Sequence, residues 1–196
     1  MFKSKNLQSI KHGFFGRSGG VSIGEYSSLN LSEKTTDRKE NVYQNKRLIL
    51  DKLELSNRNV FFPNQQHTSN VVFIDKKTDL DEAKHIPADA VVTNIDDLGV
   101  GILTADCSPI LAYERESGFI LAIHAGWKGA LAGICENALN SLADLGVNIK
   151  KLSVAIGPTI SSKYYEVKID FVETFLKTDP NFEKFFIKKD DNYFFD

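Results

Sequence analysis

The chain is poor in cysteine, which occurs only at Cys107 and Cys135 among its 196 residues. Two thiols are too few for the disulfide framework of a small secreted protein. They suit a reducing compartment, where a cysteine serves as core filler, as a nucleophile or as a metal ligand. We therefore expect a cytoplasmic protein whose cysteines stay reduced.

Long apolar runs and an excess of one charge are also missing. The 24 Lys and Arg residues nearly balance 26 Asp and Glu residues, for a net charge of −2. This balance gives no reason to expect nucleic acid or an anionic membrane as a partner. No stretch approaches the roughly 18–20 apolar residues of a transmembrane helix. The N-terminal sequence MFKSKNLQSIKHGFF lacks the apolar core of a signal peptide.

What is present is an ordinary globular composition, with 42% hydrophobic and 26% charged residues. The length fits a single domain over residues 1–196. Patterns typical of strands and of helices alternate along the chain, so we expect an α/β domain with a mixed β-sheet.

Strands are predicted from short apolar runs bounded by Gly, Pro, Asp or Asn. Lys11 to Phe15 reads as the first strand and leads into a Gly- and Ser-rich loop, GRSGGVSIGEYSSLNLS. The later runs are NVFF, VVFID, DAVVTN, GVGILTAD, PILAYE, GFILAIH and LSVAIGP. The sequence ends on the aromatic segment NYFFD, and we expect Phe194 and Phe195 either to pair into a sheet or to pack against a further partner.

Three helices are predicted. Asp37 and Glu40 have the spacing of a capping box, which would open a helix that runs to about Leu53. A second helix follows from apolar residues that recur every four positions and end before a glycine, namely Ala130, Ile134, Ala138, Leu142 and Gly146. The third covers about Phe171 to Lys177.

Three side chains with metal-ligand chemistry adjoin predicted strands. His67 follows NVFF, Cys107 separates two apolar runs, and His124 closes GFILAIH. They are 40 and 17 residues apart, unlike the closely spaced ligand pairs of zinc fingers. Ligands from separate strand ends suit a catalytic site with an open fourth position, and two imidazoles with a thiolate favour zinc or copper. A core cysteine and hydrogen-bonded structural histidines remain the alternative.

Polar residues near these candidates extend the predicted site. Asp106 lies among apolar neighbours, where an unpaired carboxylate is costly, so we expect it to bind a ligand or a backbone amide. Lys128 lies at a predicted helix start whose free amides could hold an anion such as phosphate. Arg17 in the Gly-rich loop could bind a phosphate or a carboxylate, although a surface salt bridge is the alternative. His12 and His85 receive no role.

Read together, HGFFGRSGGVS, QQHTSNV, TADCSPI, HAGWKG and AIGPTI resemble the family once named multicopper polyphenol oxidases or laccase-domain proteins, now regarded as purine nucleoside phosphorylases. The resemblance implies a single α/β domain of layered mixed β-sheets with flanking helices, similar to the catalytic domain of the cytotoxic necrotizing factors. It implies zinc, or copper, on His67, Cys107 and His124. Arg17 matches the family's loop arginine.

The sequence departs from the family pattern at two places. Gln65 and Gln66 precede His67 where the family usually has a small residue and Val or Ile. Family members generally continue past a segment like Phe194 to Asp196 with a helix, a strand and an Arg-rich stretch, so the domain is expected to be short at its C-terminus.

The resemblance implies a metal-dependent purine nucleoside phosphorylase that also deaminates adenosine. Its substrates would be phosphate with adenosine, inosine or methylthioadenosine. From the residues themselves, we expect Arg17 and Lys128 to bind these substrates, and Cys107, His124 and Asp106 to act in catalysis. We expect a monomer or a weak homo-oligomer. Two alternatives stay open: a metal-free hydrolase or deamidase that uses Cys107 and His124, and a truncated, non-catalytic binding protein. A copper laccase ranks last, because one three-ligand site cannot supply clustered coppers.

Overall fold

The computed structural model describes residues 1–55 and 59–196. The chain forms two compact units, Met1–Pro158 and Thr159–Asp196. The single domain over residues 1–196 stays a prediction. Within the described ranges, no helix combines the length and the hydropathy that a membrane span needs.

The first unit contains four helices and seven strands among its described residues. The helices are α1 (Lys39–Lys52), α2 (Leu80–Ala83), α3 (Trp127–Leu131) and α4 (Ile134–Asp144). The strands are β1 (Asn59–Phe61), β2 (Val71–Ile74), β3 (Ala90–Thr93), β4 (Leu98–Val100), β5 (Ser108–Tyr113), β6 (Ile120–Ala125) and β7 (Ser153–Ile156). Short 3₁₀ turns cover Lys5–Leu7, Gly24–Tyr26 and Ile149–Lys151.

A mixed five-stranded sheet organises this unit, in the order β2-β3-β6-β5-β7. β2 and β3 are parallel, whereas the other neighbours are antiparallel. One face of β3 and β6 packs on α4 and the other packs towards the parallel pair β1–β4. Because both faces are covered, all four residues of β3 are buried, as the apolar run DAVVTN indicated.

Strand register brings four chain segments to one end of this sheet. Ala90 pairs with Val71 on one side and with Ile123 on the other. Pro109 pairs with His124. The starts of β2, β3 and β5 therefore lie beside the end of β6, and residues just outside these strands can meet.

The second unit consists of β8 (Glu166–Val167), α5 (Ile169–Thr178), a 3₁₀ turn (Pro180–Phe185), β9 (Phe186–Lys189) and β10 (Asn192–Phe195). Its antiparallel sheet has the order β8-β10-β9. Phe171, Phe175 and Phe195 contact one another ring to ring. The predicted pairing of the C-terminal aromatic segment into a sheet is confirmed.

Two predicted strand assignments were wrong. Lys11 to Phe15 forms only an isolated bridge between Phe14 and Phe2, since the ring of His12 binds the nearby backbone at Ser4 and Ile10. In GVGILTAD, β4 ends at Val100. Beyond it the amide and carbonyl of Leu103 bind the side chain of Gln65 and not a neighbouring strand.

Two helix predictions also need correction. Asp37 does not cap α1, because its carboxylate binds Ser22, Asn30 and the amide of Arg38, which is the residue before the helix. The helix predicted from Ala130 to Leu142 is interrupted at Gly133, which has a φ of 82°. Ala130 is consequently exposed on α3. The predicted class, an α/β protein with mixed sheets and flanking helices, is confirmed.

Candidate metal centre

The end of the five-stranded sheet brings together the three side chains that the sequence singled out. Ligand atoms of His67, Cys107 and His124 all lie within 4.8 Å of one another. Sγ of Cys107 is 3.8 Å from Nε2 of His67, and the two imidazole rings meet edge to face. These separations are short enough for one ion to contact all three atoms at the usual bond lengths of about 2.0–2.3 Å.

Exposure rises across the three side chains. His124 is only 4% exposed, Cys107 is half-buried and His67 is exposed. The buried side of the site is therefore built on the sheet, while the side formed by His67 is open to solvent. A substrate or a water molecule could approach from that open side.

Asp89, which was not among the predicted site residues, hydrogen-bonds both His124 and the loop that carries His67. It is fully buried directly before β3. Its carboxylate accepts a 2.7 Å hydrogen bond from Nδ1 of His124. It also accepts the backbone amides of Gln66, His67 and Thr68, together with the hydroxyl of Thr68. One carboxylate thus joins the ends of β3 and β6 to the loop that carries His67.

Hydrogen bonds determine the charge on Asp89. Burial raises the pKa of its carboxyl, but the bonds from His124 and Thr68 outweigh burial and hold the pKa below its usual value. An ionised carboxylate at Nδ1 of His124 requires a proton on that nitrogen. Nε2 is then the ring nitrogen with a free lone pair, as in the carboxylate–histidine arrangement of many metal sites.

His67 adopts a left-handed backbone conformation, with a φ of 59°. Such a conformation is uncommon for a side chain other than Gly, Asn or Asp. The three successive amides that bind Asp89 compensate for it, since each of these bonds joins the loop to a buried anion. The strained backbone is thus held by the carboxylate that also binds His124.

Cys107 lies in surroundings that disfavour a free thiolate. Burial raises the pKa of its thiol, and the negative charges of Asp106 and Asp89 raise it further. A cysteine activated as a free nucleophile needs the opposite environment, with a lowered pKa. A cation beside Sγ would offset both effects, so the surroundings fit a metal ligand better than a bare nucleophile.

The two loops that carry His67 and Cys107 are tied together by Gln65. Its amide group donates to the carbonyl of Leu103 and accepts the amide of the same residue, each at 2.7 Å. Nζ of Lys34 binds the carbonyl of Gln65 from the other side. These bonds fix the spacing of the two loops without a β-ladder.

The structure places the other predicted site residues at the surface. Asp106 is exposed, and the buried carboxylate of the site is that of Asp89. The expected bond from Asp106 to a ligand or a backbone amide stays a prediction. Lys128 is exposed, with Nζ 5.5 Å from the ring centroid of Trp127. Arg17 is also exposed, and its carbonyl accepts the amide of Ser28. The substrate-binding roles of Arg17 and Lys128 stay predictions, as does the catalytic role of Asp106.

A signal for Asp89 was present in the sequence. It stands in PADAVV, where a carboxylate among apolar residues is costly unless it is paired. Asp106 in TADC has a similar setting in the sequence. The sequence alone does not show which of these two aspartates is buried. The register of β3 against β6 does, because it places Asp89 opposite His124.

The donor set decides which ion these residues fit. Two imidazole nitrogens and one thiolate suit borderline-soft ions such as zinc or copper, whereas magnesium and calcium require oxygen ligands. Three protein ligands leave a fourth coordination position on the open side. The residues present therefore fit zinc or copper.

Comparison with known proteins supports a common origin with one family. Residues 11–196 match the family described as multi-copper polyphenol oxidoreductase laccase. A Bacteroides thetaiotaomicron protein named purine nucleoside phosphorylase is 30% identical over 193 residues, which cover 95% of this chain and 71% of that protein. A Streptomyces coelicolor protein of the same name is 35% identical over 156 residues, covering 79% of this chain and 63% of that protein.

Other relatives are matched over a smaller share of their length. The chain spans 59% of a Mycobacterium tuberculosis protein also named purine nucleoside phosphorylase, which is 32% identical over 153 residues and 77% of this chain. These names describe whole proteins, and this chain matches only part of each of them.

Solved structures share the fold. A Neisseria meningitidis protein superposes with a TM-score of 0.75 at 30% identity, over 92% of this chain and 71% of that one. The Bacillus licheniformis protein YfiH gives a TM-score of 0.82 over 92% of this chain and 70% of its own, and at 24% identity it shows the fold alone. The likeness to the cytotoxic necrotizing factors stays a prediction. On the match over residues 11–196, the chain belongs to the family described as multi-copper polyphenol oxidoreductase laccase.

Proposed function

We propose that this chain is a metal-dependent purine nucleoside phosphorylase with adenosine deaminase activity. It acts on adenosine, inosine or methylthioadenosine with phosphate, and releases the free base and a ribose 1-phosphate derivative. The proposal rests on the group formed by His67, Cys107 and His124, whose ligand atoms lie within 4.8 Å at an open end of the sheet. The names of the relatives supply the substrate class.

In phosphorolysis, a phosphate oxygen forms a bond to C1′ of the ribose while the bond from C1′ to the purine nitrogen breaks. Arg17 and Lys128 hold the phosphate by charge-assisted hydrogen bonds. Asp106, exposed beside Cys107, relays the proton that phosphate loses to the departing base. A bound zinc or copper ion supplies positive charge for the anion and acidifies bound water.

In deamination, the same residues would serve a different proton transfer. Water adds to C6 of adenine and ammonia leaves, so a proton must pass from the water to the amino group. Asp106 carries that proton, while His67, Cys107 and His124 would hold the ion. The protein works in the cytoplasm as a monomer or a weak homo-oligomer, without nucleic-acid or membrane partners.

A multicopper oxidase is not proposed, despite the description of the family. Four-electron reduction of oxygen requires several clustered coppers. Within residues 1–55 and 59–196, His67, Cys107 and His124 form the one group of three or more histidine, cysteine or acidic residues arranged to hold an ion. That group can bind a single ion.

The decisive assay supplies metal-analysed protein with adenosine or inosine, each with and without phosphate. We expect free base and ribose 1-phosphate only when phosphate is present, and inosine from adenosine without it. Cys107→Ala should abolish both activities together with metal retention. Cys135→Ala is the matched control, because Cys135 lies on α4 against the core and should leave both unchanged.

The outcomes separate the alternatives. Full phosphorolysis by Cys107→Ala would contradict the metal-centred proposal. Activity that survives in His67→Ala but not in Cys107→Ala would point to a metal-free pair of Cys107 and His124, which does not use His67. Stoichiometric metal without any product would favour a binding protein.

A further inference from the structure

The two oxygens of Asp89 have separate sets of donors. Oδ1 accepts Nδ1 of His124 at 2.7 Å and the amide of His67 at 3.0 Å. Oδ2 accepts the amides of Gln66 and Thr68 at 3.1 and 2.6 Å, and the Thr68 hydroxyl at 2.9 Å. Three of these five partners are backbone amides, which can only donate, and the Thr68 hydroxyl donates as well. The pocket is therefore built for a group that only accepts, and a carboxylate is the side chain of this kind.

The backbone of Asp89 reinforces this arrangement. Its carbonyl accepts the amide of His124 at 2.7 Å, and its own amide donates to the carbonyl of Asn70. The residue is thus anchored between β6 and the segment before β2, and it leaves no exposed surface. Its carboxylate has little freedom to move away from the imidazole of His124.

We propose that Asp89 is a positioning residue that prepares two of the three ligands at once. Through Oδ1 it keeps the proton of His124 on Nδ1, and through both oxygens it holds His67 in its left-handed conformation. The inference rests on the proposed metal site, but it concerns an arrangement that the protein has before any ion binds. Asp89 itself contacts neither substrate nor ion.

Asp89→Asn tests this assignment because it keeps the shape and changes the hydrogen bonding. If the new amide group faces His124, it donates to Nδ1 and moves the ring proton to Nε2, the nitrogen that a metal needs free. If the new amide group faces the loop, its N–H groups oppose the amides of Gln66 and Thr68 and the Thr68 hydroxyl, which are all donors. Either orientation damages the site. We expect zinc to bind 10–100-fold more weakly, a range typical when an outer partner of a metal ligand is lost.

Glu114→Gln is the matched control. Glu114 is a buried carboxylate that likewise accepts backbone amides, from Glu116 and Ser117, together with the Ser117 hydroxyl. It follows the far end of β5, away from Cys107. Its replacement should lower the stability of the fold as Asp89→Asn does, but it should change the zinc affinity by less than about twofold. Affinity is measured by competition with a chelator on protein prepared without metal.

A second readout needs no metal and begins with the unaltered protein. In alkaline buffer, where imidazoles are neutral, ¹⁵N shifts of the ring nitrogens report which nitrogen carries the proton. His12 serves as an internal reference, because its Nε2 accepts the amide of Ser4 and its Nδ1 donates to the carbonyl of Ile10. We expect His124 in the metal-free protein to show the same protonated Nδ1, and Asp89→Asn to change it.

Each result bears on the proposal. A metal-free protein with the proton of His124 on Nε2 would overturn it, even if Asp89→Asn failed to fold. Unchanged zinc affinity in Asp89→Asn would overturn it as well, and so would an equal loss in Glu114→Gln. If the unaltered protein binds neither zinc nor copper, the proposed function fails, while the tautomer of His124 still decides the role of Asp89.

Discussion

At Gly126 the backbone touches two of the candidate ligands. A Cβ atom there would lie 2.6 Å from Cδ2 of His67 and 3.1 Å from Sγ of Cys107. The backbone angles of Gly126, φ −76° and ψ 158°, are open to any residue. The glycine is therefore required by the approach of the two side chains and not by an unusual backbone conformation.

Gly126→Ala should consequently damage the metal centre through this contact. The added methyl pushes His67 and Cys107 apart, and overpacking of this kind costs about 1–3 kcal/mol. We expect weaker zinc binding in chelator competition, by about tenfold for each 1.4 kcal/mol. Gly16→Ala is the control, since a Cβ at Gly16 meets nothing within 4 Å. Equal zinc binding by both variants would show that the site accommodates the methyl.

Single residues were predictable where their chemistry is rare and adjoins a strand. His67, Cys107 and His124 met both conditions, and their convergence follows from the register of the sheet. Asp89 was missed because aspartates are common, and its role depends on a pairing between strands that are more than 30 residues apart. Sequence pattern shows which carboxylate is costly to bury, but not which donors surround it.

Among the elements, the loops before β2 and β5 carry His67 and Cys107, and they have no strand pairing with each other. Gln65 replaces that pairing, because its side chain binds the amide and the carbonyl of Leu103 much as another strand would. The departure from the family pattern at Gln65 and Gln66 thus includes a residue with a definite structural task.

Gln65→Ala should separate these two loops. Leu103 loses both partners, and leaving its partly buried backbone groups unpaired costs up to about 1–3 kcal/mol each. We expect a lower free energy of unfolding in urea and weaker zinc binding. Gln66→Ala changes the neighbouring glutamine, which is exposed, and should affect neither. A normal zinc affinity in Gln65→Ala would mean that other contacts set the distance between the loops.

The Gly- and Ser-rich loop that contains Arg17 is held by Asn45 of α1. This fully buried amide accepts the amide of Val21 and donates to Ser22 and to the carbonyls of Ser28 and Asn30. Backbone groups that face no β-ladder are thereby satisfied, as buried polar groups must be. The loop is ordered by side chains from a helix, which its composition alone did not reveal.

Asn45→Asp should loosen this loop although the two side chains have almost the same size. An oxygen then replaces the donor and faces the carbonyls of Ser28 and Asn30, so the free energy of unfolding should fall by at least about 2 kcal/mol. Gln44→Glu makes the same chemical change on the exposed side of α1 and should cost no more than about 0.5 kcal/mol. Urea unfolding measures both, and similar losses would contradict the role of Asn45.

Among the elements, six of the seven later apolar runs coincide with strands, but the sequence pattern did not show where a helix is interrupted. The run over Ala130 to Leu142 kept its four-residue spacing across the bend at Gly133, so spacing alone did not reveal the interruption. Lys11 to Phe15 has the composition of a strand, but the ring of His12 in this segment hydrogen-bonds the backbone of Ser4 and Ile10. Side chains that bind the backbone are invisible to periodicity, and they account for these errors.

For the whole molecule, a bound ion links the ends of β2, β5 and β6, so binding should stabilise the fold as well as the site. Only the folded chain brings His67, Cys107 and His124 within 4.8 Å of one another. A ligand that prefers the folded state stabilises it by about 2.7 kcal/mol at a concentration 100 times its Kd. For a chain of this size, that corresponds to a rise in Tm of about 5–10 °C.

Calorimetry of metal-free protein should therefore show a zinc-dependent rise in Tm. His67→Ala should lose most of this rise while it keeps nearly the Tm of the metal-free parent, because His67 is exposed and its removal leaves the core intact. Magnesium should produce no rise, since a thiolate and two imidazoles do not suit a hard ion. An equal response of His67→Ala and the parent protein to zinc would place the stabilising ion elsewhere and would contradict a centre built on these three side chains.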